Sequence, residues 1–259
     1  MIQVVNVTQH YGIKPVLKDI SLHIHAGTRT AVIGPNGMGK TTLLSVMGGV
    51  LQPQKGYVEI NGVRRRASMD EELAIRRECV FLPDRCWLPK NRTGREFLLS
   101  VGGLYDIEGE RLINHSERLL RLFDLTPIAD APIRTYSAGQ QKKISLCTAL
   151  ITEAPVMLLD EPFSGGLDPA GILAFKYVLR RLALDEGRTI VVTTPVPELV
   201  QEIADRIVVV RNGRITADGT FEDLRRAAGG TGSMDDVLER IIFPETLEYI
   251  EQYFAGEPD

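Results

Sequence analysis

One uninterrupted run constrains this 259-residue chain more than any other: Thr30-Ala31-Val32-Ile33, then Gly34-Pro35-Asn36-Gly37-Met38-Gly39-Lys40-Thr41, then Thr42-Leu43-Leu44-Ser45-Val46-Met47. An apolar strand-like segment passes into a helix-like one through G-x-x-x-x-G-K-[ST] without a gap. The glycines allow successive backbone N–H groups to converge, and the start of the following helix adds the positive end of its dipole. Such a nest suits a chain of phosphates, with Lys40 reaching the β- and γ-phosphates and the Thr41 hydroxyl helping to hold Mg²⁺. The alternative, a glycine-rich turn that binds nothing, does not need a strand before it and a helix after it.

Strand-like runs elsewhere (2–8, 19–25, 29–33, 56–60, Val156–Leu159, Thr189–Thr193, Arg206–Arg211) alternate with helical patterns, which predicts an α/β fold on a largely parallel sheet. The opening third is rich in strands. Helical periodicity dominates from about 93 to 151, where Phe97, Leu98, Val101 and Leu104, then Leu119, Leu122 and Phe123, recur at helix spacing. This predicts a helical subdomain at about 84–151 set between two halves of a sheet. Residues 1–226 read as the main domain and the glycine-rich 227–233 as a linker. Residues 234–259 read as a helical extension, opened by a Ser233/Asp236 cap and containing a last helix from Pro244 with Leu247, Ile250 and Phe254 on one face.

The net charge of −4 argues against a nucleic-acid binder, which ordinarily shows a dominant basic surface. No apolar stretch approaches the ~20 residues that span a bilayer. Cys79, Cys86 and Cys147 form no metal-like pair and suit a reducing compartment. His23 and His25 alternate on a strand face, and Arg64-Arg65-Arg66 follows the Asn61-Gly62 turn as a solvated hairpin end.

A second acidic element supports the phosphate loop. Val156-Met157-Leu158-Leu159 reads as a buried strand ending in Asp160-Glu161. A carboxylate at the C-terminal edge of a parallel strand suits Mg²⁺ ligation by Asp160, and Glu161 is placed to deprotonate or orient an attacking water. Between the two lies Tyr136-Ser137-Ala138-Gly139-Gln140-Gln141-Lys142. A phosphate loop, this Ser-x-Gly-Gln turn, and an apolar strand ending in Asp-Glu, in that order and at these separations, resemble the ATP-binding cassette (ABC) family over roughly residues 2–226.

The resemblance implies a RecA-like P-loop core, an N-terminal antiparallel β subdomain and an inserted helical signature subdomain. It implies an ATPase subunit of a transporter, working with ATP and Mg²⁺ at the cytoplasmic face of a membrane as a peripheral protein. Its partners would be a second cassette, identical or not, and separate transmembrane permease subunits. Two cassettes of this family close head to tail on two ATP molecules. The ATP-binding set would be Tyr11, Gly34 to Thr42, Ser137, Gly139 and Gln140, with Ser137 and Gly139 facing the partner's γ-phosphate. Tyr11 matches an adenine-stacking aromatic, or is an ordinary strand-end tyrosine. The turn from Asp84 into 93–105 resembles cassettes of drug- and polymer-exporter systems.

Three departures bear on catalysis. Asp84 stands after Cys79-Val80-Phe81-Leu82-Pro83 where the family has glutamine; it adds a carboxylate that could bind the metal. Pro195 stands where the family has a histidine on the γ-phosphate and offers no donor. Glu161-Pro162-Phe163-Ser164-Gly165-Gly166-Leu167-Asp168 carries one extra residue in a loop expected at the dimer interface. Trp87, in Arg85-Cys86-Trp87-Leu88-Pro89-Lys90, reads either as core or as a contact for the membrane subunit. Two other functions remain open: a regulatory nucleotide-binding subunit that does not hydrolyse, and a cassette acting on nucleic acid. The stretch from Lys40 to Ser137 leaves no room for the long coiled-coil insertion of DNA-repair cassettes.

Overall fold

The computed structural model describes residues 1–229 and 233–255. In chain order the elements are β1 (Ile2–His10), β2 (Pro15–Ile24), β3 (Arg29–Ile33), α1 (Lys40–Met47), β4 (Lys55–Ile60), β5 (Val63–Arg64), α2 (Met69–Glu78), β6 (Cys79–Leu82), α3 (Gly94–Gly103), α4 (Gly109–Leu122) and α5 (Ala138–Ile151). There follow β7 (Val156–Leu159), α6 (Pro169–Glu186), β8 (Thr189–Thr194), α7 (Pro197–Ile203), β9 (Arg206–Arg211), β10 (Arg214–Gly219), α8 (Phe221–Ala227), α9 (Met234–Ile242) and α10 (Pro244–Ala255).

These strands form two sheets, ordered β2-β1-β4-β5 and β10-β9-β3-β8-β7-β6. The first is antiparallel and its strands alternate buried and open positions, as at Ile2 and Val4. After Val4 the register shifts, Asn6 adopts φ 49°, and the alternation resumes from Val7. The second sheet is parallel from β9 to β6, with β10 antiparallel on its edge. β7 and β8 are buried at every position, which explains why β7 reads as a continuous apolar run and β8 as β-branched residues throughout. The architecture is the α/β one expected: a RecA-like core, an antiparallel β subdomain, and helices inserted between two neighbouring strands, β6 and β7.

Apolar packing holds these parts together. One cluster joins the parallel sheet to α5, α6 and the inserted helices through Leu98, Leu120, Phe123, Ile144, Leu146 and Phe175. A second fills the space between the sheets around α1, through Leu43, Leu44 and Met47. A third lies under α7 and α8, where Val237, Leu238 and Ile242 of α9 are buried. Each such side chain contributes roughly 1.5–3 kcal/mol, enough to fasten α9 to the core. Ser233 caps α9 through Asp236, as its sequence predicts. The expected apolar face of α10 is open, however: Ile250 is 48% and Phe254 79% exposed, and the Leu247 side chain lies outside the described residues, as do 230–232 of the expected linker.

One surface expectation needs correction, and one open alternative is decided. Arg65 is buried, not solvated: its Nε donates to the Met47 carbonyl at 2.6 Å and its Nη1 pairs with Glu72 at 3.0 Å. Arg66 donates to the Gly49 carbonyl at 2.9 Å, so both side chains cover carbonyls left free at the end of α1. Trp87 is 77% exposed and forms no part of the core. His23 and His25 do share a face, their rings 4.6 Å apart.

Candidate active site

Parallel register carries the C-terminal ends of β3, β6, β7 and β8 to one edge of the sheet. That edge receives the loop from Gly34, then Asp84, Asp160-Glu161 and Pro195. Gly34, Gly37 and Gly39 have φ of 146°, 79° and 105°, open to glycine and strained for other residues. At Gly34 a Cβ would sit 2.1 Å from the Val210 carbonyl oxygen. Lys40 opens α1 and is 4% exposed; its Nζ donates to the carbonyls of Gly34 at 2.7 Å and Pro35 at 3.1 Å. Burial pushes the Lys40 ammonium pKa down, while Glu161 and Asp160 hold it up.

Asp160 is 1% exposed. Its Oδ1 accepts from Thr41 Oγ1 at 3.2 Å and from Thr193 Oγ1 at 2.5 Å, while its Oδ2 has no hydrogen-bond partner. A buried carboxylate oxygen without a partner is costly. The Thr41 hydroxyl beside that bare oxygen supplies the hard oxygen donors Mg²⁺ requires, so the residues fit the cation the family implies.

Glu161 has φ 44°, a left-handed conformation uncommon for its type. Its backbone is held on both sides: the N–H donates to Thr193 Oγ1 at 2.8 Å, and the carbonyl accepts from Lys142 Nζ at 2.9 Å. Burial raises the Glu161 carboxyl pKa and nearby Asp84 raises it further, against the pull of Lys40 and Lys142. Asp84 Oδ1 accepts from Ser164 Oγ at 2.7 Å and lies 3.6 Å from Lys142 Nζ. Lys142 is thus a buried cation between Asp84 and the Glu161 backbone, and burial lowers its pKa in spite of Asp84.

A cleft of about 250 Å³ is lined by Val16, Asn36, Gly37, Gly39, Lys40, Thr41, Thr42 and Glu161. Tyr11 stands beside it, 66% exposed, its Oη 3.4 Å from Thr42 Oγ1. Met38 faces elsewhere, its Sδ accepting from the Asn212 N–H at 3.3 Å. Ser137, Gly139 and Gln140 do not join this cleft; they form the start of α5. Ser137 Oγ accepts from Gln140 N–H at 3.3 Å and Gln140 Oε1 accepts from Ser137 N–H at 2.9 Å, a reciprocal cap. The extra residue of the following loop is accommodated by left-handed Gly165 and Gly166, with φ of 82° and 85°. A Cβ on Gly139 would come 2.7 Å from the Gly166 carbonyl oxygen, so glycine permits this approach.

Sequence reasoning missed Thr193, Ser164 and Lys142. Thr193 is one of three polar residues in an otherwise apolar strand, a signal that was available. Lys142 lies inside a quoted motif, but only the fold reveals that it is buried opposite Asp84.

Residues 17–164 match the model of a family described as ABC transporter. The chain is 36% identical over 222 residues to the daunorubicin resistance ATP-binding protein DrrA3 of Streptomyces coeruleorubidus, covering 86% of this chain and 69% of that one. Among solved structures, an ATP binding subunit of an ABC transporter superposes with TM-score 0.84 at 28% identity, over 93% of this chain and 99% of the other. The ATP-binding cassette MJ0796, a dimer in a post-hydrolysis state with ADP and Pi, gives TM-score 0.77 at 26% identity, over 85% and 98%. With the family's model matched over more than half of its length and these relatives alongside, the chain belongs to the ABC transporter family as an ATP-binding subunit.

Proposed function

We propose that this subunit hydrolyses MgATP between two cassettes closed head to tail and thereby drives separate transmembrane subunits of an export system. The observation carrying this reading is Asp160, one oxygen held by Thr41 and Thr193 and the other bare, beside buried Lys40 and Glu161. Thr41 and Asp160 would hold Mg²⁺, which when bound neutralises charge on the phosphates. Lys40 would leave the loop carbonyls for the phosphates. Glu161, its backbone fixed by Thr193 and Lys142, would accept a proton from the attacking water. Asp84, its Oδ1 bonded to Ser164 Oγ and 3.6 Å from Lys142 Nζ, would add a further carboxylate beside the metal. Ser137 and Gly139 would offer the start of α5 to the partner's γ-phosphate. The bound Tyr11 ring would stack on adenine.

The names of the relatives, daunorubicin resistance and Nod factor export among them, favour export of a small organic molecule. The docking face for the membrane subunit would be the cavity of about 660 Å³ lined by Cys86, exposed Trp87, Leu88, Lys90, Ile133, Arg134 and Gln141. No helix among the described residues is long and apolar enough to cross a membrane, in keeping with a peripheral subunit. A regulatory subunit that binds without hydrolysing is the second reading, favoured by Pro195. MgATP binding and turnover of Lys40→Ala and Glu161→Gln separate them. We expect Lys40→Ala to lose binding, and Glu161→Gln to keep binding while turnover falls ~10²–10⁴-fold. Unchanged turnover in both variants would overturn the site; a wild type that binds but never turns over would favour regulation.

A further inference from the structure

A second cleft, of about 270 Å³, shares no lining residue with the nucleotide cleft. Its walls come from α4, the end of α5, and the end of α6 with the turn into β8. It therefore lies where the inserted helices meet the core. Pockets for drug-sized ligands run to about 300–1,000 Å³, so this one suits a smaller ligand.

Its charges are unbalanced. Arg111 and Arg118 face it from α4, Glu153 from beyond α5, Glu186 from the end of α6, and Arg188 from the turn, with His115 of α4 among them. Glu153 is engaged by Arg111 and lies 3.1 Å from His115 Nδ1; Glu186 pairs with Arg188 Nη2 at 2.6 Å. Both carboxylates are thereby occupied. Arg118 has no carboxylate partner among the described residues, and Arg188 Nη1 is buried with no hydrogen-bond partner. Arginine offers planar pairs of donors that match phosphate oxygens, and a buried N–H left unmatched is unfavourable until something accepts it.

We propose that this cleft binds a phosphate group, free or as a phosphomonoester, held between Arg118 and Arg188. Three guanidinium groups against two carboxylates leave one positive charge with His115 neutral, and two with it protonated. A phosphate dianion matches the second state, so binding takes up a proton at His115. Burial holds the His115 pKa below its ordinary value; Glu153 pulls it up, and Arg118 and Arg188 push it down. A ligand here touches both the inserted helices and the core and so ties one to the other.

The test is a titration of the full-length protein with inorganic phosphate, and separately with glycerol phosphate, followed by the His115 imidazole NMR signals. His115→Gln assigns those signals, and Lys40→Ala separates this cleft from the phosphate loop. We expect a saturable shift with Kd about 1 mM or tighter and a raised His115 pKa, both retained in Lys40→Ala. Arg118→Ala, an exposed change that leaves the fold intact, should weaken binding at least about tenfold, whereas Arg121→Ala on the same helix should not. Binding of the ester alone would identify a phosphate carried on a larger molecule, and binding of both a free-phosphate site. A non-saturating response, an equal response in Arg118→Ala, or loss of the response in Lys40→Ala would overturn the proposal.

Discussion

Asp84 introduces a negative charge where the family has a neutral side chain, beside a glutamate that must itself ionise to act as a base. Lys142 offsets it: the ammonium, 7% exposed, lies 3.6 Å from Asp84 Oδ1 and 2.9 Å from the Glu161 carbonyl. Removing Lys142 alone strands Asp84 next to Glu161 and frees a left-handed backbone from one of its restraints. Breaking a fully buried pair costs about 3–5 kcal/mol, and because Asp84 is 40% exposed, water reduces that here to about 1–3 kcal/mol. Lys142→Met is expected to lose that much stability, and Asp84→Asn in the same chain to restore part of it. Urea unfolding of both single variants and the double variant gives the coupling, expected between about 0.5 and 3 kcal/mol. Coupling indistinguishable from zero would mean that the two residues act independently.

Elements that bury both faces, or that carry chemistry in consecutive residues, were legible in the sequence. β3 and β7 announced themselves as apolar runs and β8 as a β-branched one, and the phosphate loop and Asp160-Glu161 could be read directly. β10 was missed because it lies on the sheet edge, where Arg214, Thr216 and Asp218 need no burial. The Lys142–Asp84–Glu161 contacts were illegible because β6, α5 and β7 meet only in the fold. The cap of α6, seen only in the fold, is testable. Asp168 Oδ1 accepts from the Gly171 N–H at 3.0 Å ahead of Pro169, and Oδ2 accepts from Lys143 at 3.0 Å. The Lys143 bond, then the Gly171 bond, hold the Asp168 pKa below the usual carboxylate range. A depressed carboxylate pKa stabilises the fold above its unfolded value, and that contribution disappears as pH falls through the folded value. Asp168→Ala should therefore cost about 1 kcal/mol at neutral pH and progressively less in acid, measured by denaturant unfolding at several pH values. An equal loss at all pH values would assign the effect to something other than the charged cap. Trp87 belongs to the same scale, since its exposed ring projects from the segment after β6. Trp87→Ala is expected to weaken assembly with membrane subunits in pull-down while leaving ATP affinity of the isolated subunit unchanged; unchanged assembly would remove Trp87 from the docking face.

In the proposed head-to-tail pair, the two half-sites that the whole molecule would contribute are unequal. The half that would be offered to a partner, Ser137 and Gly139 at the capped start of α5, has the residues the family resemblance implies. The half that would work on the chain's own ATP has Pro195 just after β8, which would offer neither a side-chain donor nor a backbone N–H to a γ-phosphate. Losing one positioned donor in a comparable oxyanion site costs about 2.7–4 kcal/mol, or roughly 10²–10³ in rate. Asp84 would add negative charge near bound phosphates, muted by Lys142 3.6 Å away. A complex built from this chain is therefore expected to contain a slow site on its own phosphate loop, and a fast one only where a non-identical partner supplies the missing histidine beside its own loop. The decisive measurement is turnover per site in the assembled complex together with its subunit composition, for wild type and for Pro195→His. If the reading holds, the wild-type complex contains a second cassette, and Pro195→His accelerates the slow site while the fast one is unaltered. A wild-type complex of this cassette alone that hydrolyses rapidly would defeat both the slow site and the unequal pair, because no residue at position 195 would then be limiting the reaction.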